Sequence, residues 1–426
     1  MPYEEARPIL EQHATQVSES AWPEWAARHD ADVRARLARG DEDSLVYLWL
    51  YGTSFTRAPR ATEQHLARLD PARAEALLLQ RLDDLIAGAS APGANERLRF
   101  ARTVFVRRGV NLAAAAGREK AAAILVEARA RVIAENEKYR QAADTARRSS
   151  DADAATATYS TLFRDRGLSS DTRLTAGFAL DRALTALAAA GRIAPGAVRR
   201  AAVIGPGLDF TDKAEGYDFY PQQTIQPFAL MDSLARLGLA KASGVHLGTL
   251  DLSPRVNAHL NAARERARAK HPYVLQLPLA TDDERHAWQV DLVKYWRTVG
   301  TRIGREASPL PVPPGAGVRV RAIAIDPAAV LSIAPSDVDI VVQRLPLEDA
   351  ERYDLVVATN ILVYYDAFDQ ALALSNIAAM LRPGGYFLTN YAVAPSPAMQ
   401  AMPDLTTRVF FDRQNNGDSV YCYRRR

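Results

Sequence analysis

The chain has 426 residues, of which 48% are apolar and 24% are charged, and this composition excludes global disorder and collagen-like repeats. The length exceeds that of one average hydrophobic core, so we expect at least two domains. The formal net charge is only +3, which gives no reason to expect a nucleic-acid or phospholipid-surface partner.

The single Cys422 excludes an internal disulfide. The seven histidines form no close pair at the spacing of zinc ligands, so no metal site is expected. No apolar run approaches the roughly 18 residues of a membrane helix, and the acidic start of the chain does not resemble a secretory signal. The sequence therefore predicts a soluble, cytoplasmic protein without a membrane partner.

Residues 1–195 predict an all-α N-terminal domain, because apolar side chains recur there at three- and four-residue steps. Clear examples are residues 121–133 and 174–187, the second with Asp171 as a candidate N-cap. Residues 149–155 are polar and predict a connection between helices. Four large aromatic residues are interpreted as anchors of a helical core: Trp22, Trp25, Trp49 and Tyr51.

Residues 196–426 predict an α/β domain in which short apolar runs alternate with helices, typical of a doubly wound and mostly parallel sheet. The predicted parallel strands are residues 201–204, 245–250, 338–342, 353–358 and 386–388. Two terminal strands, 407–411 and 419–423, flank an Asn-Asn-Gly turn and predict an antiparallel hairpin that completes a seven-stranded sheet. Residues 271–317 contain a proline-rich break and predict an insertion.

A strand at 201–204 runs directly into Gly205-Pro206-Gly207. Glycine allows a sharp turn and the close approach of a ligand, and α/β sheets bind ligands at the carboxyl ends of their strands. The alternative is a tight turn without a ligand. A third glycine at the dinucleotide spacing is missing, since residue 210 is Phe210, which argues against a nicotinamide dehydrogenase.

Asp251 ends the second predicted strand, where a carboxylate can accept hydrogen bonds from the two hydroxyls of a ribose. The alternative interpretation is an N-cap of the helix that starts at Pro254, a place that Ser253 could also take. Between the two strands, residues 211–223 form a loop rich in aromatic residues. This loop is either a lid over a ligand or a connection held against the other domain.

The third element is residues 353–366, followed by a predicted helix at 368–381 and the turn Arg382-Pro383-Gly384-Gly385. Strand, helix and turn in this order resemble the class I S-adenosylmethionine-dependent methyltransferases, and the C-terminal hairpin also belongs to that family. The resemblance covers residues 198–426. Within the family, the segment NILVYYD at 360–366 and the turn are similar to the chemotaxis-receptor glutamate methyltransferases, although the glycine loop differs.

The resemblance implies that S-adenosyl-L-methionine is the cofactor and S-adenosyl-L-homocysteine the product. The glycine loop would approach the methionine part, Asp251 would hold the ribose, and Leu252 would pack near the adenine. Gln343 would replace the aspartate that often contacts the adenine amine. The implied cofactor-binding residues are Gly205, Pro206, Gly207, Asp209, Asp251, Leu252, Gln343, Thr359 and Asn360.

Methyl transfer requires chiefly that acceptor and methyl carbon are held in line, and a base is needed only for a protonated acceptor. The candidate catalytic residues are Tyr220, Asn360 and Tyr364, although such tyrosines also commonly pack the next helix. Trp288, Tyr295 and Trp296 either line an acceptor pocket or fasten the insertion to the sheet.

The first hypothesis is a methyltransferase for a small-molecule oxygen or nitrogen acceptor, with the helical domain and the insertion closing the acceptor pocket. The second is a protein-directed carboxyl or amino methyltransferase that docks its substrate through the helices. The third is a non-catalytic scaffold that binds the cofactor, and a dehydrogenase is fourth. The sequence leaves the oligomeric state open.

Overall fold

The computed structural model describes residues 1–148, 166–211, 217–241, 244–281, 287–314, 316–394 and 396–426. The predicted connection at 149–155 lies outside these ranges. Across the described ranges, no helix combines the length and the apolar character that a bilayer crossing requires.

The first 148 residues form helices, as the apolar periodicity predicts. Their bounds are α1 Tyr3–Gln12, α2 Trp22–Tyr51, α3 Glu63–Leu66, α4 Pro71–Ser90, α5 Glu96–Arg107 and α6 Ala115–Arg148. The side chains of Asp70 and Asn95 accept hydrogen bonds from backbone N–H groups in the first turns of α4 and α5, which explains where these helices begin. Buried residues of α2, α4, α5 and α6, Trp49 among them, share one core.

The other predicted anchors do not all serve that core. Trp22 and Trp25 stack at a centroid distance of 5.0 Å near the start of α2. Trp25 also meets the ring of Phe368 edge-on at 5.7 Å, and Phe368 belongs to the α/β half of the chain. The start of α2 therefore packs against α1 and the α/β half, and not against the core that the rest of α2 shares with α4, α5 and α6.

After residue 166 the first helix of the described ranges, α7 (Ala176–Ala189), begins later than the sequence indicates. Asp171 does not cap it, since the N-cap position is Thr175. Asp171 instead forms an isolated bridge with Leu208 and accepts a hydrogen bond from Ser44. The buried face of α7 belongs to the core beneath the sheet, with Leu184 fully buried.

The remaining elements form two sheets and their flanking helices. The strands are β1 Arg200–Ile204, β2 His246–Leu250, β3 Tyr273–Thr281, β4 Gly304–Ala307, β5 Val318–Ile325, β6 Ile333–Ser336, β7 Tyr353–Ala358, β8 Leu381–Thr389, β9 Met399–Ala401, β10 Thr407–Phe410 and β11 Gly417–Arg425. The helices are α8 Gln226–Arg236, α9 Pro254–Arg268, α10 Val290–Thr298, α11 Pro327–Leu331 and α12 Ala367–Met380.

The main sheet has the strand order β10-β11-β8-β7-β1-β2-β6, and the short β9 pairs with β11. The five strands from β8 to β6 are parallel, whereas β11 is antiparallel to both β8 and β10. The helices α8, α9 and α12 lie in connections between the parallel strands, and the buried apolar residues of the central strands belong to two cores, one on each face of the sheet. The predicted doubly wound α/β fold with a terminal antiparallel hairpin is confirmed. The sheet has eight strands instead of the predicted seven, because the short β9 is added to β11.

The third parallel strand is not where the sequence predicts it. The strand beside β2 is β6, and the predicted strand 338–342 is a buried turn that follows it. The side-chain amide of Asn376 donates to the carbonyls of Ile340 and Val341 at 3.0 and 2.9 Å, so this segment needs no strand partner for those groups. The apolar run correctly indicated burial but not the hydrogen-bond partners of the backbone.

The inserted segment forms a separate antiparallel sheet in the order β3-β5-β4, accompanied by α10. Trp296 of α10 is fully buried, and Tyr295 lies 5.6 Å from the ring of Phe178 on α7. Trp288 packs 6.4 Å from Trp296. These contacts support the interpretation that the three aromatic residues fasten the insertion.

Candidate cofactor and acceptor site

Three central strands end side by side. Parallel register places Ile204 opposite both Leu250 and Ala358, the last residues of β2 and β7. The residues that follow, Gly205, Asp251 and Thr359, therefore emerge at one edge of the sheet. Carboxyl ends of neighbouring strands are where open α/β sheets bind ligands.

The turn after β1 requires its glycines. Gly205 and Gly207 have φ angles of +63° and +62°, which residues with a side chain rarely adopt. A Cβ on Gly205 would lie 2.1 Å from the Cδ1 of Ile361, and one on Gly207 would lie 3.1 Å from the backbone oxygen of Ser170. Pro206 between them is buried. Other segments of the chain thus occupy the space that a Cβ would fill at these two positions.

Replacement of Gly207 by alanine is expected to destabilise the fold by about 1–2 kcal/mol for the left-handed backbone and by about 1 kcal/mol more for the contact with Ser170. Gly191→Ala is the matched control, because Gly191 also has a φ of +62° but a Cβ there would meet nothing within 4 Å. Urea denaturation of both variants measures the difference. Equal losses would show that the turn has room for a side chain.

Asp251 joins the end of β2 to the glycine turn. Its carboxylate accepts the backbone N–H of Ser253 at 2.8 Å and also that of Gly207. Burial raises the pKa of Asp251 to about 6, and these two hydrogen bonds oppose the rise. Ser253 occupies the N-cap position of α9 without a side-chain capping bond. Leu252, half-buried, packs beside the second core of the sheet.

Asp209 and Tyr220 form a buried pair. The Tyr220 hydroxyl donates to Asp209 Oδ2 at 2.5 Å, and the amide of Gln223 donates to the same oxygen at 2.9 Å. Arg97 of α5 donates to the backbone carbonyls of Asp209 and Tyr220 as well as to that of Phe210. Tyr220, a predicted catalytic residue, therefore supports the loop after β1.

The aromatic loop is held against the N-terminal helices over its described residues, 217–223. Asp218 is 1% exposed and accepts the backbone N–H groups of Thr53 and Ser54 at 2.6 and 3.0 Å. Gln222 donates its N–H to Glu96 at 2.9 Å. These contacts favour the connection held against the other domain over the lid.

The end of β7 is organised by two amide side chains. Gln226, at the start of α8, donates to the hydroxyl of Thr359 at 2.6 Å. Asn360 has a φ of +58°, and Asn390 after β8 holds it by accepting its N–H at 2.7 Å and donating to its Oδ1 at 2.9 Å. Tyr364 lies in a short 3₁₀ turn, and its carbonyl accepts a hydrogen bond from Arg36 at 2.8 Å.

Gln343 does not follow the third strand directly, so the prediction for this residue needs correction. The third strand ends at Ser336, and Gln343 closes the turn beyond it by accepting the N–H of Asp339 at 3.1 Å. The residue that does follow β6 is Asp337, whose carboxylate pairs with Arg34 of α2 at 2.9 Å. The sequence analysis missed Asp337 because it placed the strand five residues too late.

Several buried polar atoms around this edge have no hydrogen-bond partner among the described residues. They include Ser170 Oγ beside the glycine turn, Gln226 Oε1 beside Thr359 and Asn257 Oδ1 beside Asp251. Arg255, whose charge acts on Asp251, has two such atoms, Nε and Nη1. Leaving a buried polar group unpaired costs about 1–3 kcal/mol, so such groups require water or a ligand. The combination of donors and acceptors suits a polar ligand with several functional groups.

The helices of the N-terminal region cross this edge. Arg34 and Arg36 of α2 reach Asp337 and the Tyr364 carbonyl, and Arg97 reaches the loop after β1. Arg255 at the start of α9 pairs with Asp171 at 2.8 Å and lies 4.1 Å from the centroid of the Phe100 ring of α5. The helical region therefore encloses the carboxyl edge of the sheet.

No family model matches this sequence, and no curated protein matches it. The chain is similar to the solved structure of the N-methyltransferase NodS from Bradyrhizobium japonicum in complex with S-adenosylhomocysteine, with 15% identity, 58% of this chain and 86% of that chain covered, and a TM-score of 0.27. The chain is also similar to the solved structure of TrmN from Thermus thermophilus. The two are 14% identical, the match covers 57% of this chain and 48% of TrmN, and the TM-score is 0.27.

The glycopeptide N-methyltransferase MtfA in complex with S-adenosylmethionine is 14% identical, covers 57% of this chain and 76% of its own, and has a TM-score of 0.22. The order and direction of the strands in the C-terminal half, with the terminal antiparallel hairpin, agree with the fold that the resemblance to the class I methyltransferases leads us to expect.

Proposed function

We propose that this chain is an S-adenosyl-L-methionine-dependent methyltransferase that acts on an oxygen or nitrogen atom of a small molecule. The observation that supports the proposal most directly is the meeting of the glycine turn, Asp251 and Thr359 at the carboxyl ends of adjacent parallel strands. Unpaired buried polar atoms surround this point, as expected where a polar ligand binds.

In this proposal Gly205, Pro206 and Gly207 face the methionine part of the cofactor, and Asp251 accepts the ribose hydroxyls. Leu252 supplies an apolar surface beside the adenine. The bound cofactor supplies a methyl group on a positively charged sulfur. Asp209 acts as a positioning residue, because its carboxylate already accepts hydrogen bonds from Tyr220 and Gln223.

The protein's main task in methyl transfer is to hold the acceptor in line with the methyl carbon. Thr359 and Asn360 are suited to this task, since Gln226 and Asn390 fix their positions at the end of β7. Tyr364, half-buried in the next turn, is a further candidate for orienting the acceptor. Tyr220 contributes indirectly, by supporting the loop after β1.

Enclosure of the edge by α2 and α5 supports a small acceptor over a protein substrate. Arg34, Arg36 and Arg97 hold these helices against the ends of β6, β7 and β1, which leaves little space for a folded partner. The near-neutral net charge of +3 likewise offers no general attraction for nucleic acid.

Thermal denaturation with added ligands tests the proposal. S-adenosylhomocysteine is expected to raise the Tm, because at a hundredfold excess over its Kd it stabilises the folded state by about 2.7 kcal/mol. NAD is expected to leave the Tm unchanged. A Tm that responds to neither ligand would contradict a nucleotide cofactor. A response to NAD alone would favour a dehydrogenase, and binding without methyl transfer to any acceptor would favour a scaffold.

A further inference from the structure

A cavity of about 410 Å³ lies at the edge of the main sheet opposite to the glycine turn. It is bounded by α1, the loop before β7, the last turns of α12 and the end of β11. Arg352 immediately precedes β7 and Thr359 follows it, so the six residues of this strand, about 20 Å, separate the two places. A ligand in the cavity would therefore be distinct from the cofactor and from the methyl acceptor.

Three arginines from separate segments line this cavity: Arg344 in the loop, Arg352 before β7 and Arg425 at the end of β11. Burial lowers the pKa of the Arg425 guanidinium, and the positive charge of Arg352 lowers it further, whereas Asp349 opposes the shift. Like charges held close together repel each other, and an anion bound beside them would offset that repulsion.

The acidic partners do not balance these three charges. Of the described residues that line the cavity, Glu5 is the acidic one, and it accepts a hydrogen bond from Arg344 at 2.8 Å. Asp349 lies 2.9 Å from Arg352, but its side chain is 91% exposed, so water weakens this ion pair. Arg352 Nε is buried and has no hydrogen-bond partner among the described residues. The cavity therefore keeps positive charge and an unused donor.

The end of α12 forms another wall of the cavity. The last carbonyl groups of a helix carry partial negative charge, which repels an anion. Here Arg425 donates to the carbonyl of Leu381, the C-cap residue, so its positive charge offsets that repulsion. Ser375 and Ala379, four residues apart on one face of α12, line the cavity. The small side chain of Ala379 leaves open volume, and the Ser375 hydroxyl can donate a hydrogen bond.

We propose that this cavity binds a small phosphate monoester. The oxygens of a phosphate point in several directions and can accept hydrogen bonds from guanidinium groups of three separate segments, whereas a planar carboxylate matches one guanidinium fork. The Ser375 hydroxyl donates to the same phosphate. Leu345, Leu347 and Ala379, which also line the cavity, contact the apolar part of the ester. The proposal does not depend on methyl transfer, because the cavity lies at the other edge of the sheet.

Isothermal titration calorimetry of the full chain with three probes tests the cavity. Phenyl phosphate is expected to bind. Benzoate offers fewer acceptor oxygens and inorganic phosphate lacks an apolar part, so each should bind about tenfold more weakly. Benzoate or inorganic phosphate that bound as tightly as phenyl phosphate would overturn the proposal.

Removal of single charges assigns the binding to the cavity. Arg352→Gln and Arg425→Gln should each weaken phenyl phosphate binding by about tenfold, because each loses charge-assisted hydrogen bonds. Arg424→Gln is the matched control: Arg424 is exposed, and as the neighbour of Arg425 in a strand it lies on the opposite face. Its affinity should equal that of the unchanged chain. Full affinity in both Arg352→Gln and Arg425→Gln would refute the site.

Arg425→Gln could loosen the end of α12, so a variant that keeps all three charges decides the result in that case. Ala379→Leu places a larger side chain in the cavity without a loss of helix propensity, and it should weaken phenyl phosphate binding by at least tenfold. Ala258→Leu, at an exposed position of α9, is its control and should bind normally. Unchanged affinity in Ala379→Leu would refute the cavity, and competition between phenyl phosphate and S-adenosylhomocysteine would place the phosphate at the other edge instead.

Discussion

Asp251→Asn is expected to weaken S-adenosylhomocysteine binding by about 30-fold, since hydrogen bonds from the ribose hydroxyls to a charged acceptor contribute about 1.5–3 kcal/mol. The amide that replaces the carboxylate keeps one acceptor oxygen, and its NH₂ group faces the N–H groups of Ser253 and Gly207. Asp251→Ala should lose at least as much affinity. Isothermal titration calorimetry measures both losses directly.

A matched control is Asp326→Asn, which changes an exposed aspartate at the start of α11 whose side chain makes no capping bond. This variant should bind S-adenosylhomocysteine as the unchanged chain does. If Asp251→Asn also retained full affinity, the ribose assignment would be wrong, and the carboxylate would serve only to hold the glycine turn.

The affinity should also depend on pH, because burial raises the pKa of Asp251 from its ordinary value of 3.8 to about 6. The ionised carboxylate accepts the ribose hydroxyls, so binding should weaken as the pH falls through 6. The stability of the ligand-free protein should change with pH in the opposite direction. The folded state holds the proton of Asp251 more tightly than the unfolded state does, so the contribution of this group to the free energy of unfolding declines as the pH rises from 4 to 6. Asp251→Asn should remove both dependences.

His29→Gln is expected to lower the free energy of unfolding by about 3 kcal/mol at pH 7, because it leaves a buried carboxylate without its cation. His29 lies on α2 between two aspartates of the α/β half: its Nε2 is 3.0 Å from Asp369 and its Nδ1 is 3.7 Å from Asp339. Asp339 is fully buried. Urea denaturation followed by circular dichroism checks the loss.

The loss of unfolding free energy in His29→Gln should decrease as the pH rises. Burial lowers the pKa of His29, but the interactions with the carboxylates of Asp339 and Asp369 outweigh burial and raise it from 6.5 to about 10. The stabilisation is therefore complete below pH 6.5 and disappears as the pH rises through 10. His271→Gln, at an exposed position, is the control and should leave the free energy of unfolding at pH 7 unchanged. A difference between the unchanged chain and His29→Gln that stays constant from pH 7 to pH 10.5 would contradict the ion pair.

Local sequence patterns were sufficient to predict the positions of most strands in the main sheet. The apolar runs at β1, β2 and β7, the turn at Gly205–Gly207 and the terminal hairpin lie where the sequence predicts them. Each is specified by neighbouring residues: strand burial by consecutive apolar side chains, and the turn by glycine's access to positive φ. The chain order of these elements then places Gly205, Asp251 and Thr359 at one edge.

The sequence by itself thus determined the α/β fold and the edge at which a ligand would bind. Tertiary structure alone decided which strand lies beside β2, because an apolar run reports burial and not the partner of each backbone group, and Asn376 satisfies the carbonyls of 340–341. It alone decided that Tyr220 supports a loop and that α2 encloses the site. Contacts such as that between His29 and Asp369, 340 residues apart in the chain, leave no trace in local periodicity.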